Sequence, residues 1–509
     1  MLTHLILFSQ YCRDHYYLVF SFVLLVLFVL ETKFFIIQKT IRLIKNCAQN
    51  RISFPLCLLA ALGLLIFIAF IVYQKYQSSS DELDYFFQAQ TYLKGRLWNP
   101  PPLSHAFKFA SLVLTDDKWF SRYPPGWPMA LALGMFFHLP SWSINPILGT
   151  VSLYVLYLFG KLLYGQNIAL MAIVFIICSP FFLFNAASFY AHTSCGLFIV
   201  LFVYCCYKFI LKKDVPCEIL CWAGFWWGWA FSVRYFTAAL VMVPVFIEMI
   251  IKRKKTFWIN DLWYFVLGAL PFILMNLLYN YCTTGNALLT PFQFYDIHDR
   301  PHIDLRLDIK LMNILWNQQF WMSSSFFIVY FFLMIRHIKS RQFYWMEFIF
   351  LILVIFYQVF YPLRLEGAGN RYLYEGYFFC VLAVLHFISK WAISVQTSLF
   401  KKFIVTVMIA GFMMNIILLP GLASYFYHWI SKDRVLDRLV LDNHLTHAIV
   451  LIPSFNQTKE FYLFLPNDPD LRNDVLSAYD WNVNKLMKAY PDRKFYRYFP
   501  HQGTFQKIN

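Results

Sequence analysis

SFPLCLLAALGLLIFIAFIVYQKYQSSSDELD, residues 53–84, decides how the chain is to be read. Residues 53–74 carry no charged side chain, and a helix needs about 20 mostly apolar residues to cross a bilayer. Directly behind that run stand three acids, Asp81, Glu82 and Asp84. The stretch therefore reads as a membrane span that delivers a carboxylate cluster to the membrane surface.

Working outward, runs of similar length fall near 16–38, 144–163, 167–184, 193–211, 217–233, 236–251, 259–281, 313–335, 344–362, 373–389 and 402–423. With 53–75 that makes about twelve spans and an all-α, polytopic integral membrane fold. The run 127–139, between Pro128 and Pro140, is too short to cross and reads as a helix lying in the interface. Composition agrees: the 509 residues are 60% hydrophobic and only 14% charged, where a soluble protein is roughly a quarter charged. Aromatics at 21% fit belts at the membrane interfaces. The net charge of +16 does not point to nucleic acid, because its Lys and Arg sit in short clusters between apolar runs. The eleven cysteines lie in or beside apolar segments without metal-ligand spacing, so neither a disulfide framework nor a zinc site is expected. The N-terminus lacks a signal-peptide pattern, and its first apolar run reads as a retained span.

The basic clusters set orientation. Lys39 to Arg51, Lys208 to Lys213, Lys252 to Lys255, Arg336 to Arg341 and Lys390 to Lys402 fall on one side if every run crosses once, and that side is cytoplasmic. The opposite side receives the loop 76–143, the loop 282–312 and the tail after 424. Three regions follow: an extra span and cytoplasmic loop at 1–52, a membrane core at 53–424, and a small folded outer cap at 425–509 rich in Tyr and Phe.

A helix is expected to start at Asp81 with Ser80 as its cap and acids in its first turn. Asp81 and Asp84, three apart, share a face, while Glu82 points elsewhere. Complementing the helix dipole accounts for Asp84. Asp81, at the junction of span and loop, stands where a membrane-bound substrate meets water, and could take a proton from an acceptor hydroxyl. In KWFSRYPPGWPMALALG (118–134) a Pro-Pro-Gly turn enters the interfacial helix. Lys118 and Arg122 there could grip a lipid phosphate or merely snorkel to the headgroups. In PLRLEGAGNRYLYEGYFF (362–379), Arg371 and Tyr372 open a span, where a guanidinium and helix N–H groups together suit a phosphate. Glu375, one turn inside, needs a partner, and Arg371 at i−4 is the nearest in sequence. Lesser candidates are Tyr123, Asn185, His192, Arg234, and Asp296 with His298 in the second outer loop. No nucleotide loop or Ser/His/Asp arrangement is present.

Taken in order, Asp81-Glu82, Ala89 to Gly95, RYPPGWP, SPFFLFNAAS, LLYNYCTTGNALLTPFQFYD and GNRYLYE resemble the GT-C superfamily of polytopic glycosyltransferases. The likeness is to its protein-mannosyltransferase and aminoarabinose-transferase branch, family 39-like, and spans roughly 75–380. It implies transfer of a sugar from a polyprenyl-phosphate donor to a glycan, lipid or protein acceptor at the outer face of a bacterial cell membrane, usually with inversion. It implies Asp81 as base with Glu82 its companion, and Arg371 as a donor-phosphate contact. The branch has Lys-Pro-Pro where this chain has Arg122-Tyr123-Pro124-Pro125, so the charge is displaced by one residue. No cofactor is required by the branch, though Asp81, Glu82 and Asp296 could hold a divalent ion if they converge. The rivals are a flippase or transporter, an O-antigen ligase or polymerase, and a non-catalytic subunit binding the same lipid. Transporters place charges at mid-membrane and carry repeats; here the charges gather at one interface and no repeat is visible.

Overall fold

The computed structural model describes residues 2–34, 52–109, 111–212, 214–253, 259–296, 321, 329–332, 334–335, 343–361, 369–394, 399–453, 465–500 and 502–508. Among them, seven helices are long and apolar enough to cross a membrane: Ser53–Val72, Ser141–Tyr164, His192–Leu211, Tyr235–Arg253, Asp261–Thr284, Arg371–Lys390 and Phe403–Asp433. Two bent pairs raise the number to nine if each counts as one span. The chain is an integral membrane protein of predominantly helical fold.

Apolar length alone overstates how continuous these helices are. The run 167–184 is broken, because Gln166–Ile177 and Pro180–Ala186 meet at 70°. Ser179 is extended (φ −83°, ψ 122°) and Pro180, having no N–H to lose, starts the second piece. The expected first span begins at Tyr16, but a helix Thr3–Asp14 precedes it at 98°. The runs near 217–233 and 344–362 are shorter helices, Ile219–Val233 and Trp345–Phe360. Most of 313–335 lies outside the described residues.

The chain divides into two compact units. One comprises Met1–Ala69, Asn145–Phe272 and Pro301–Tyr425. Within it, the helices Ile219–Val233 and Ile259–Thr284 approach backbone to backbone: a Cβ on Gly224 would collide with the Phe265 carbonyl, and one on Gly268 with the Cys221 carbonyl. Small residues at such crossings let dispersion contacts hold helices together where lipid supplies no hydrophobic drive. The unit also buries two acids in polar company. Glu347 accepts from Tyr164 Oη (2.6 Å) and lies 3.1 Å from His386 Nδ1. Glu248 accepts from the Trp345 N–H (2.6 Å) and pairs with Lys252 (3.0 Å).

The other unit comprises Phe70–Ile144, Ile273–Arg300 and Phe426–Asn509. It holds the helices Ser80–Leu93, Gly126–Phe136 and Pro291–Tyr295, and an antiparallel hairpin of β1 (Leu112–Leu114) and β2 (Trp119–Ser121). Its tail is more than a helical cap. Strands β3 (Ala448–Ile452), β4 (Val475–Tyr479), β5 (Lys494–Phe499) and β6 (Thr504–Lys507) form a sheet in the order β4-β3-β5-β6. β3 runs parallel to β4 and β5, and β6 returns antiparallel. Leu83 and Phe87 of the acid-bearing helix join Phe107, Trp119 and the β3 residues Ile449–Ile452 in one core. That helix therefore has its apolar face bound to the tail, burial worth about 25 cal/mol per Å². Lys94, its C-cap, reaches Asp468 (2.9 Å) and Asp470 (2.6 Å), and Arg96 reaches Asp470 (2.5 Å).

Candidate active site

In the unit that contains the tail, the acidic cluster sits on the first turn of Ser80–Leu93. The cap is Ser79, not Ser80: Ser79 is extended (φ −142°, ψ 159°) and its side chain accepts from the Glu82 N–H (3.3 Å). Any of the three serines could serve by residue type, and backbone conformation chooses among them. Glu82, 1% exposed, turns back to accept from the Ser78 N–H (2.6 Å) and Oγ (3.0 Å). It closes the helix start.

Asp81 and Asp84 face the RYPP segment. Tyr123 Oη donates to Asp81 Oδ1 at 2.5 Å. Arg122 Nη2 donates to the same hydroxyl at 2.9 Å and stands 3.7 Å from Asp81 Oδ1. The guanidinium is boxed by the rings of Tyr123, Phe292 and Tyr295, each about 5 Å from its centre (5.0, 4.8 and 4.9 Å). Tyr85 packs on Tyr123 with ring centroids 4.6 Å apart. The segment is held by the acidic helix, whose Gln88 Oε1 accepts from the Ser121 N–H (3.0 Å), and by the helix Ile259–Thr284, whose Tyr279 Oη donates to the Ser121 carbonyl (3.1 Å). Asp81 keeps 17% of its side chain exposed. Asp84 keeps none, and burial pushes its carboxyl well above the usual range against the opposing pull of Arg122. The hydroxyl of Tyr123 is likewise raised, first by burial and then by Asp81.

Lys118 is apart from this group. It lies in the hairpin turn, 3.8 Å from Asp117 and over the Trp98 ring. Asp296 caps the short helix Pro291–Tyr295 at its C-terminal end. His298 lies outside the described residues. No three His, Cys, Asp or Glu side chains among the described residues are placed to share a metal ion.

The other unit holds a second centre. Glu375, fully buried, does not pair with Arg371. Its Oε1 lies 3.1 Å from His192 Nδ1 and 3.3 Å from Arg234 Nε. A partner 141 residues upstream wins over the one at i−4 because Arg234 interrupts two helices, Ile219–Val233 and Tyr235–Arg253, where its guanidinium can turn inward. Arg234 Nη1 meets His192 Nε2 at 3.3 Å, Nη2 donates to Tyr357 Oη (3.2 Å), and Nε reaches Thr237 Oγ1 (3.3 Å). The set assigns His192 the tautomer in which Nδ1–H donates to Glu375 and Nε2 accepts from Arg234. Arg234 also lies over the Tyr372 ring (4.8 Å), and Arg371, 7% exposed, lies over Tyr190 (4.0 Å). Arg371 opens a short 3-10 turn capped by Asn370. Asn185 is a packing residue, donating to the Phe181 carbonyl (2.7 Å).

Reading the sequence missed Tyr85, Phe292, Tyr295, Thr237 and Tyr357. The Thr290-Pro291 start of a capped helix was a usable signal for Phe292 and Tyr295, since Thr290 and Gln293 form a capping box.

Comparison with known proteins bears on the fold. The family model described as dolichyl-phosphate-mannose-protein mannosyltransferase matches residues 124–279. No curated protein sequence matches the chain. Among solved structures, ArnT from Cupriavidus metallidurans bound to undecaprenyl phosphate aligns with TM-score 0.53 at 10% identity, covering 87% of this chain and 89% of that one. The apo state of the same protein aligns with TM-score 0.51 at 11% identity, over 85% and 92%. At such identities the likeness is one of fold. That fold is GT-C.

Proposed function

We propose that the chain is an inverting glycosyltransferase that moves a sugar from a polyprenyl-phosphate donor to an acceptor hydroxyl at the outer face of the membrane. The matched family is named for a dolichyl-phosphate sugar, and the ArnT structure holds undecaprenyl phosphate, which supports the donor class. The observation that carries the reading is Asp81. It is the one member of the acidic cluster that keeps solvent access, and a hydroxyl and a guanidinium orient it. A general base needs that combination: a fixed carboxylate that a substrate can reach.

In this reading the acceptor O–H gives its proton to Asp81 as its oxygen attacks the anomeric carbon. The carbon–oxygen bond to the donor phosphate breaks, and the phosphate departs with the electron pair. Arg371 and Tyr372 are the residues proposed to take charge that develops on the phosphate, while Arg122, through the Tyr123 hydroxyl, holds Asp81 in place. Asp81→Asn tests the assignment in a membrane transfer assay at matched expression. Transfer should fall by roughly 10²- to 10⁴-fold, and full transfer by the variant would remove Asp81 from the chemistry. Arg371→Ala should chiefly weaken use of the lipid donor.

A further inference from the structure

The loop that follows β4 carries chemistry which the Asp81 centre does not use. Tyr479 ends the strand and Trp481 stacks on it, with ring centroids 4.6 Å apart and planes 26° apart. Trp481 is 43% exposed, so one face of a large ring is offered to solvent. The next residues along the chain, Asn482, Val483, Asn484 and Lys485, line an open depression of about 460 Å³. Behind the rings, Asp480 is clipped by Arg497 (Nε 2.7 Å, Nη2 3.2 Å), which fixes the loop that bears them. The place itself is apt, because open α/β sheets bind ligands beyond the carboxyl ends of their parallel strands, and β4 is parallel to β3.

A stacked aromatic pair followed directly in the chain by two amides and an ammonium that line a depression has one obvious complement. A pyranose ring presents a face of C–H bonds with partial positive charge, which suits the negative face of an indole. Its rim of hydroxyls both donates and accepts, as Asn amides do, and accepts from Lys. An acyl chain would leave Asn482, Asn484 and Lys485 without use. Tyr479 also feels the charge of Tyr295, whose ring lies over Arg122.

We propose that Tyr479, Trp481 and the polar depression beside them form a carbohydrate-binding subsite for the acceptor, so that the acceptor is a glycan. The proposal rests on the glycosyltransferase reading for its role and on the Trp481 loop for the binding itself. Full-length protein in lipid nanodiscs, examined by saturation-transfer NMR with methyl α-mannoside, methyl β-galactoside and N-acetylglucosamine, tests it. At least one sugar should receive saturation through its ring C–H protons. Trp481→Ala should lose that signal, or weaken binding by roughly tenfold, the worth of one good stack, while Trp481→Phe should keep most of it. Trp481 is half-exposed, so its loss should leave the fold intact, and an unchanged melting temperature checks this. If wild type saturates none of the three sugars, or Trp481→Ala saturates them equally, the subsite does not exist. Asp81→Asn separates the two readings. Sugar binding that persists in a variant with full transfer retains the subsite and rejects the base, whereas lost transfer with no effect of Trp481→Ala does the reverse.

Discussion

The chain carries two clusters of opposite charge, one in each unit, and they solve the problem of a buried carboxylate differently. Around Glu375 one carboxylate oxygen is held closely: its Oε1 lies within 3.3 Å of both His192 and Arg234, and the carboxylate is fully buried. Around Asp81 the answer is looser. The nearest guanidinium nitrogen is 3.7 Å away, a hydroxyl stands between, and 17% of the side chain meets solvent. On the proposed reading, the buried pair serves the fold and the half-open acid serves the reaction.

The sharpest way to break that comparison is to remove each acid. Glu375→Ala leaves the partly buried Arg234 without its counter-charge, at a cost of up to about 3 kcal/mol, and should appear as loss of folded protein extracted from membranes. Asp81→Asn should leave extraction and melting temperature unchanged while transfer is lost. If the two variants exchange these phenotypes, the assignment of roles is inverted. Next in size is Tyr123→Phe, which deletes the hydrogen bond at 2.5 Å to Asp81. A hydrogen bond to a charged group is worth about 1.5–3 kcal/mol, so kcat should fall by roughly tenfold or more with the KM for donor little changed. An effect on donor KM alone would make Tyr123 a donor contact instead.

These contrasts also show what the sequence could and could not reveal. The helix start at the acidic cluster was legible to within one residue because helix starts obey local rules, and helical spacing set Glu82 apart from Asp81 and Asp84. The long apolar helices were legible for the same reason. The partner of Glu375 was not, since Arg371 is the neighbour along a helix and Arg234 becomes a neighbour only through packing. The sheet of the tail was hidden because β3 pairs with strands beginning 27 and 46 residues further on, at Val475 and Lys494, and parallel pairing leaves no hairpin signal. Breaks at Ser179–Pro180 and His15 were hidden because hydropathy sums over a bend that backbone conformation decides.

Smaller effects test how the acidic helix is held. Asp84 has a carboxyl raised above 3.8, chiefly by burial. A carboxyl raised in the folded state contributes most below its unfolded value and loses that contribution as pH rises through the folded value. Asp84→Asn removes this dependence, so the variant should gain in melting temperature over wild type as pH rises from about 4. A difference that stays constant with pH would mean that Asp84 is ionised and fully compensated by Arg122.

The least effect is expected at the other end of the same helix, where Lys94 and Arg96 hold Asp470. These two cations lower the Asp470 carboxyl from 3.8 to about 2. The sign is opposite to that of Asp84: stability is present above the unfolded value and lost as pH falls through the folded one. Partly exposed ion pairs contribute about 1 kcal/mol or less, so Asp470→Asn should lower the melting temperature slightly at neutral pH. The gap to wild type should shrink as pH falls from 4 toward 2. Because Lys94 caps the helix that carries Asp81, the same variant tests whether the tail also sets the geometry of the base. A lowered kcat with unchanged donor KM in a variant of unchanged melting temperature would show that it does. A loss of stability alone would confine the clamp to holding the tail.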